Sequence, residues 1–282
     1  MRIDLPALAR RATNPRRKSV TLRDIVPPAV LATDLYRSSY LPVVTIWANA
    51  AERIIAEYER SLSALTTDAP ADLTGILDQT EGEMSRLVLT LRPALRDWVL
   101  RIERYMRSKF IGAVLAASKV DLSTLLGPED VAKTLEQVLE WNINLIDDVS
   151  TQARQRMSNA VFAGLTARKP AREVAVEIRQ ATGFARDRSI RIASHQLSSL
   201  TSQLASERRR QAGIDVWEWR HSRKLHPRKD HQARDGHYYT DNPAMAGKEV
   251  DGKIVQVAPK ADDLPGIPPA CGCRERSVLV FS

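Results

Sequence analysis

The chain has 282 residues, of which 43% are hydrophobic and 5% aromatic, and its formal net charge is +8. This length allows one or two domains with hydrophobic cores, and the scarcity of aromatic residues favours a helical protein over a β-sandwich. The positive charge indicates an acidic partner, either nucleic acid or an acidic protein surface, or else a solvated basic face. No stretch reaches the roughly 20 apolar residues of a membrane helix, and the N-terminus lacks the apolar region of a secretory signal, so we expect no membrane partner.

Residues 1–45 are predicted to form a basic arm that is extended or partly ordered. The segment contains several prolines and no sustained helical period. Three consecutive basic residues, Arg16, Arg17 and Lys18, are candidates for contact with nucleic acid or with an acidic protein surface.

Residues 46–213 are predicted to form an elongated helical body. Apolar residues recur at steps of three and four from Trp47 to Leu62 and again from Leu87 to Tyr105. Pro93 lies inside the second run and predicts either a kink or a late helix start.

A second group of helices is predicted in the later part of this body. Gly127-Pro128 is a helix-start signal, and the helix after it has the polar Asn142 at a seam position. Lys169-Pro170 is expected to break that pattern, and Gly183 to end a short helix that follows. The next helix carries His195, interpreted as a polar helix residue rather than a catalyst.

Residues 214–282 are predicted to form a small, loop-rich α+β module. The stretches "IDVWEW", "KIVQVAP" and "RSVLVF" alternate or cluster apolar residues as short strands do. Because about 70 residues with so little core usually need a cross-link or a bound metal, the composition favours a metal staple.

Four of the five histidines lie between His221 and His237, and the two cysteines are Cys271 and Cys273. A disulfide across one residue would be strained, so reduced thiols are expected. A tetrahedral zinc site takes about four Cys or His ligands, and Gly272 allows both sulfurs to point inward. The spacing favours zinc slightly over the alternative of two inert thiols beside a basic, histidine-rich loop.

Two other kinds of site remain open from the residues alone. "HPRKDH", with His226, Asp230 and His231, loosely resembles the loops of histidine–metal nucleases, although no complete catalytic zinc motif is present. A dense basic stretch interleaved with tryptophan and tyrosine could bind nucleic acid, but such aromatics more often form a small module's own core. The candidate contact residues of this stretch are Arg220, Arg223, Lys224 and Arg228.

Three stretches together resemble the phage Mu F-like head morphogenesis family: "RIASHQLSSLTSQLASERRRQAGIDVWEWRHS", "HPRKDHQARDGHYY" and "PGIPPACGCRERSVLV". The resemblance covers residues 130–282, most strongly the last 70 residues. Two departures stand out: Gly272 replaces the usual Arg between the cysteines, and Arg228 and His231 stand where some members have Cys-x-x-Cys. The matching positions are Ile192, Ala193, Gly213, Trp219, Arg220, Arg228, His231, Gly236, Tyr238, Tyr239, Pro265, Gly266, Cys271 and Cys273.

The resemblance implies a non-enzymatic minor head protein. Such proteins associate with the portal and procapsid, enter the virion head in few copies, and aid head assembly or DNA delivery after assembly in the host cytoplasm. Implied partners are the portal protein, with major capsid or scaffold proteins and packaged DNA as further candidates. The alternatives are a metal-dependent nuclease and a DNA-binding packaging factor.

The resemblance also implies a structural zinc ion in the C-terminal module. His231, Cys271 and Cys273 are the predicted ligands, with His226 as the first candidate for the fourth position and His237 as the next. The expected fold is therefore mainly α, with an elongated helical body followed by a small α+β, zinc-stapled module.

Overall fold

The structure, a computed structural model, describes residues 3–13, 17–64, 69–225 and 227–281. Most of these residues are helical, and a small module that contains strands lies near the C-terminus. None of the helices in these ranges combines the length and the apolar composition that crossing a membrane requires. The α-helices are α1 (Leu5–Thr13), α2 (Val30–Leu35), α3 (Leu41–Ala64), α4 (Ala69–Ser118), α5 (Ala132–Ala167), α6 (Ala171–Gln211) and α7 (Lys229–Ala233).

Six strands form one sheet in the order β1-β6-β2-β3-β5-β4. All pairings are antiparallel except that of β3 with β5. The strands predicted from "IDVWEW", "KIVQVAP" and "RSVLVF" are confirmed as β2, β5 and β6. The strands are β1 (Ser19–Thr21), β2 (Val216–Arg220), β3 (Tyr238–Thr240), β4 (Glu249–Val250), β5 (Lys253–Val257) and β6 (Arg274–Val280).

Successive residues of β2 supply two different buried clusters, because side chains alternate between the faces of a strand. Val216 packs in one cluster with apolar residues of the other strands, including Val255 and Val278. Trp217 and Trp219 pack in the second cluster. This second cluster also contains Tyr239, Cys271 and Cys273, so the sheet places both cysteines against aromatic side chains.

The chain divides into two compact units, each built from separate segments. One unit comprises Met1–Leu31, Val99–Val138 and Ser194–Ser282, and the other comprises Ala32–Trp98 and Leu139–Ala193. The boundaries differ from those predicted at residues 45/46 and 213/214, because the N-terminal segment and parts of long helices belong to the same unit as the sheet. Several unit boundaries fall inside continuous helices, and the apolar periodicity of a helix does not change at such a boundary.

The arm predicted over residues 1–45, extended or partly ordered, contains more regular structure in its described parts than the sequence pattern indicates. Residues 5–13 form α1, whose Leu5 and Ala9 are fully buried, and Leu5 donates a backbone hydrogen bond to Ala212 O. Residues 19–21 form β1, in which Ser19 pairs with Val280. The apolar face of α1 is only about two turns long, which is too short to stand out as a helical period.

Gly213 ends α6 as predicted, whereas Gly183 does not end a helix. Gly213 has φ +69°, and a Cβ atom there would lie 2.4 Å from the Ile3 carbonyl oxygen, so only glycine fits. Gly183 lies inside the continuous α6, between the buried Ala181 and Ala185. The penalty for an interior glycine is only about 1 kcal/mol, and burial of the flanking residues outweighs it.

The second unit has a helical core that contains two buried hydrogen bonds between side chains. The predicted core residues Trp47 and Tyr58 are buried, and Trp47 Nε1 donates to Ser150 Oγ at 2.9 Å. The seam residue Asn142 is fully buried, and Tyr40 OH donates to its Oδ1 at 3.1 Å. Asn142 is therefore a specific hydrogen-bonding partner inside this core.

Replacement of Tyr40 by Phe is expected to lower the free energy of unfolding by about 1–2 kcal/mol, because the buried Asn142 loses its hydroxyl donor while the packing volume is retained. Urea unfolding of the Tyr40→Phe protein would measure this change. The partly exposed Tyr36 provides the matched control, since Tyr36→Phe should alter stability by less than about 0.5 kcal/mol. Equal effects of both variants would contradict the prediction.

Candidate metal centre

Three buried ligand atoms converge beside the aromatic cluster of the sheet. His231 Nδ1 lies 3.5 Å from Cys271 Sγ and 3.8 Å from Cys273 Sγ. The ligand atoms of these residues all lie within 4.8 Å of one another, and all three residues are buried. A histidine and two cysteines predicted from the sequence are thus brought together as a group that could hold a metal ion.

The short helix α7 and the loop before β6 carry these ligands. His231 lies on the short helix α7, and its ring meets the ring of Trp219 edge-on, with the centroids 5.0 Å apart. Cys271 and Cys273 lie in the loop before β6. A Cβ atom on Gly272 would come within 2.9 Å of Lys224 Cε and 3.1 Å of Ser222 Cβ, so a small residue suits the close approach of this loop to its neighbours.

Asp263 holds the imidazole of His231 from the side opposite the thiols. His231 Nε2 lies 2.9 Å from Asp263 Oδ1, and Arg234 donates to Asp263 Oδ2 at 2.7 Å. Burial opposes ionisation of Asp263, but the hydrogen bonds from His231 and Arg234 outweigh it and lower the pKa of the carboxyl group. A carboxylate at Nε2 requires a proton there, so the lone pair on Nδ1 faces the cysteines, as metal ligation requires.

The two thiols share their protons unequally. A hydrogen bond from the Cys273 thiol lowers the pKa of Cys271 to about 5, and the backbone N–H groups of Cys273 and Gly266 also favour the Cys271 thiolate. The same interaction with Cys271 raises the pKa of Cys273. The pair therefore loses one proton readily, and a bound cation would favour release of the second, since a metal ligates the thiolate form.

Two basic side chains border the cysteine loop. Lys224 Nζ donates to Ala270 O at 2.7 Å, and Arg228 donates to Pro269 O at 2.9 Å. Both residues line a cavity of about 270 Å³ that also borders the three candidate ligands. These two predicted contact residues therefore border the candidate metal centre.

The remaining predicted ligands do not join the cluster in the described part of the chain. His226 lies outside the described residues. His237 is exposed, and its Nδ1 lies 3.4 Å from Gln256 Nε2. His221 borders the same cavity as the cysteines, but its Nδ1 accepts a hydrogen bond from the Arg223 backbone N–H at 3.1 Å.

The other predicted contact residues have diverse surroundings. Arg16 lies outside the described residues, and Arg17 and Lys18 are exposed just before β1. Arg220 lies 3.5 Å from a Glu218 carboxylate oxygen, whereas Arg223 is exposed. The exposed members remain available for a partner, while Arg220 serves the module's own ion pairs.

The sequence pattern did not assign Asp263 to the candidate metal site, and it placed Arg234 only in the basic stretch. Asp263 lies 32 residues from His231, and neither residue type distinguishes itself in a chain with 34 acidic and 42 basic residues. A second group of possible ligands comprises Asp230, His231 and Asp263. It uses the same histidine as the cysteine cluster, but it offers carboxylate oxygens in place of sulfur.

Replacement of Asp263 by Asn is expected to weaken metal binding about 10- to 100-fold, because the amide does not enforce the His231 tautomer that presents Nδ1 to the metal. Competition with a chromophoric chelator would measure the affinity. The neighbouring exposed Asp262 is the matched control, and Asp262→Asn should bind metal as the unaltered chain does. An unchanged affinity in Asp263→Asn would show that the carboxylate does not orient the ligand.

Comparison with known proteins gives little that bears on function. No protein family model and no solved structure matches the chain. An uncharacterized protein of Haemophilus influenzae is 24% identical over 147 residues, which is 49% of this chain and 32% of that protein. The chain thus spans about a third of that relative's length, and membership of the Mu F-like family stays a prediction.

Proposed function

We propose that this chain is a non-enzymatic minor head protein similar to the phage Mu F-like family, with a C-terminal module stapled by structural zinc. The supporting observation is that residues which carry the resemblance lie together in space. Trp219, His231, Cys271 and Cys273 come from separate stretches of the chain, yet they meet around one buried cluster. This convergence supports a motif whose residues form one folded unit around a metal.

Zinc is the metal that best fits this group of ligands. Thiolate and imidazole ligands suit zinc, whereas magnesium and calcium prefer oxygen. Tetrahedral zinc with Zn–S of about 2.3 Å and Zn–N of about 2.0 Å separates a sulfur ligand from a nitrogen ligand by about 3.5 Å. The observed separations of 3.5 and 3.8 Å from His231 Nδ1 to the two sulfurs are close to that value.

The proposed role is association with the portal and procapsid during head assembly or DNA delivery. Exposed basic residues, including Arg17, Lys18 and Arg223, are available for an acidic surface of the portal protein or for packaged DNA. Major capsid and scaffold proteins are further candidate partners. The proposed locations are the head or portal region of the virion and, during assembly, the host cytoplasm.

Quantitative mass spectrometry on gradient-purified particles from the source strain would test this function. We expect the chain at a few copies per portal ring, in the same gradient fractions as the portal protein. Particles from a strain that lacks the gene serve as the control for co-purifying contaminants. Complete particles without this chain would contradict a role as a head component.

A metal-dependent nuclease is the second candidate, favoured by the carboxylate-containing group of Asp230, His231 and Asp263. Asp263 already accepts hydrogen bonds from His231 and Arg234, which makes it a weaker candidate for coordinating a hard cation. Cleavage of plasmid DNA that requires a divalent cation and disappears in His231→Ala would favour the nuclease. Absence of cleavage at high protein concentration would leave the structural role as the better explanation.

A further inference from the structure

The clustered His231, Cys271 and Cys273 would leave one position of a tetrahedral zinc ion to be filled. We propose that His195, on α6, supplies this fourth ligand and completes a set of two cysteines and two histidines. This inference rests on the proposed zinc staple and identifies an additional residue of that site.

The other described histidines are poor candidates for the fourth position. A neutral imidazole binds a metal through the nitrogen that carries no proton. At His221 the lone pair of Nδ1 is occupied by the Arg223 N–H, so the proton lies on Nε2 and neither nitrogen is free to ligate. His237 is exposed, and its Nδ1 lies 3.4 Å from Gln256 Nε2, so its ring faces solvent and β5.

His195 has an unsatisfied nitrogen of the kind that a metal would satisfy. Its Nδ1 is buried and has no hydrogen-bond partner among the residues that the structure describes. Most buried polar atoms of side chains are paired, so an unpaired one in a native structure needs an explanation, and a bound ion or an ordered water is one. The part of α6 that carries His195 therefore presents an imidazole nitrogen in need of a partner.

The same face of α6 packs on the loop that leads to the cysteines. Ser202 Oγ donates to Pro265 O, and a Cβ atom on Gly266 would lie 2.8 Å from Ser198 O. The backbone N–H of Gly266 in turn favours the thiolate of Cys271. Since His195 lies three residues before Ser198, its side chain is one helical turn away on this contacting face.

The charges that act on His195 are those of the metal centre. Burial lowers the pKa of its imidazole, the charge of Cys271 opposes this shift, and the charges of Lys224 and Arg228 reinforce it. Cys271, Lys224 and Arg228 all border the cavity beside the candidate ligands. His195 thus lies in the electrostatic environment of the cysteine loop and favours the neutral form that binds metals.

Ligation by His195 would require a rearrangement. The nitrogens of His195 are outside the group of ligand atoms that lie within 4.8 Å of one another. Ligation therefore requires rotation of the imidazole about its side-chain torsions, together with tightening of the cysteine loop on α6. Metal uptake is therefore expected to draw the loop closer to the helix.

Cobalt substitution in the full chain provides the test, since Co²⁺ reports both the number of thiolates and the geometry of the site. We expect His195→Cys to raise the sulfur-to-cobalt charge-transfer absorbance by about one half, as two thiolates become three. His195→Ala should retain the charge-transfer band and alter the d–d bands. The zinc affinity of His195→Ala should fall by more than about 100-fold. Loss of a group that only orients a ligand typically weakens metal binding by no more than this.

Parallel variants at His226 and His237 separate the possible outcomes. His237→Cys and His237→Ala should leave spectrum and affinity unchanged. If His226→Ala alters the d–d bands and His195→Ala does not, or if His195→Cys adds no charge-transfer intensity, the assignment of His195 is overturned while the staple stands. Failure of the unaltered chain to bind zinc or cobalt would overturn the staple itself. Circular dichroism of each variant identifies any that fail to fold.

Discussion

Simultaneous replacement of Cys271 and Cys273 by Ser is expected to abolish metal binding and to destabilise the C-terminal module by about 5 kcal/mol or more. Structural zinc contributes directly to folding, since the unfolded chain has no preformed site. Without the metal, buried serine hydroxyls would replace the thiolates among Trp217, Trp219 and Tyr239. A loss of this size corresponds to a fall in Tm of about 10 °C or more for a protein of this size.

Metal content by elemental analysis and Tm by calorimetry would measure these effects together. Val257→Ser is a suitable control, because Val257 is 71% exposed on β5, and it should leave both quantities nearly unchanged. A strong chelator should lower the Tm of the unaltered chain toward that of the double variant. Unchanged metal content and Tm in the double variant would refute the staple.

The second large effect is expected at Arg209, a buried arginine near the end of α6. Its side chain is 2% exposed, and it contacts Glu275 Oε1 at 3.2 Å and Asp241 Oδ2 at 2.5 Å. It also donates to Ile214 O at 3.1 Å. This single guanidinium therefore links the last turn of α6 to strand β6 and to two further loops.

Replacement of Arg209 by Met is expected to lower the free energy of unfolding by about 3–5 kcal/mol, because it leaves the buried carboxylate of Glu275 without its partner. Urea unfolding would measure the loss. The neighbouring Arg210 is the matched control, since it is about half exposed and pairs with Glu207 on the surface. Arg210→Met should change stability by less than about 1 kcal/mol.

The loss in Arg209→Met should depend on pH in a defined direction. Burial raises the pKa of Glu275 above its ordinary value even with Arg209 in place. An acid with a raised pKa in the folded state binds its proton more tightly there, so its contribution to stability falls as pH rises through that range. Without Arg209 the pKa should rise further, and the variant should recover stability as the pH is lowered and Glu275 becomes neutral.

A second substitution at Glu275 provides an independent check. The double variant Arg209→Met, Glu275→Gln should recover part of the loss at neutral pH, since no unpaired charge remains buried. The recovery should be small at acidic pH, where Glu275 of the single variant is already protonated. A loss that is the same at acidic and neutral pH would show that the uncompensated carboxylate is not its cause.

Much of the secondary structure and part of the candidate site could be predicted from the sequence. The helical faces around Trp47 and Tyr58 follow from the spacing of apolar residues, and β2, β5 and β6 follow from short apolar patterns. The ligand candidates His231, Cys271 and Cys273 were available because cysteine and histidine are rare in this chain and cluster near its end. Rare residue types and local periodicity can be read directly along the chain.

Other features depended on contacts between distant segments. Residues 5–13 form a helix because Leu5 and Ala9 are buried in a core to which Ile214 also belongs, and residues 19–21 form a strand because β6 pairs with them. Such short segments have little intrinsic preference, so their conformation is decided by the surface against which they fold.

At the candidate metal centre, too, some features follow from the sequence and others from the tertiary structure. The sequence by itself determined the residue types able to bind a metal, since ligand chemistry belongs to single side chains. Only the tertiary structure decided which of them meet, and it added Asp263, Arg234 and the unpaired nitrogen of His195. These residues belong to common types or stand alone on a helix, so their relation to the cysteines exists only when the folded chain brings the segments together.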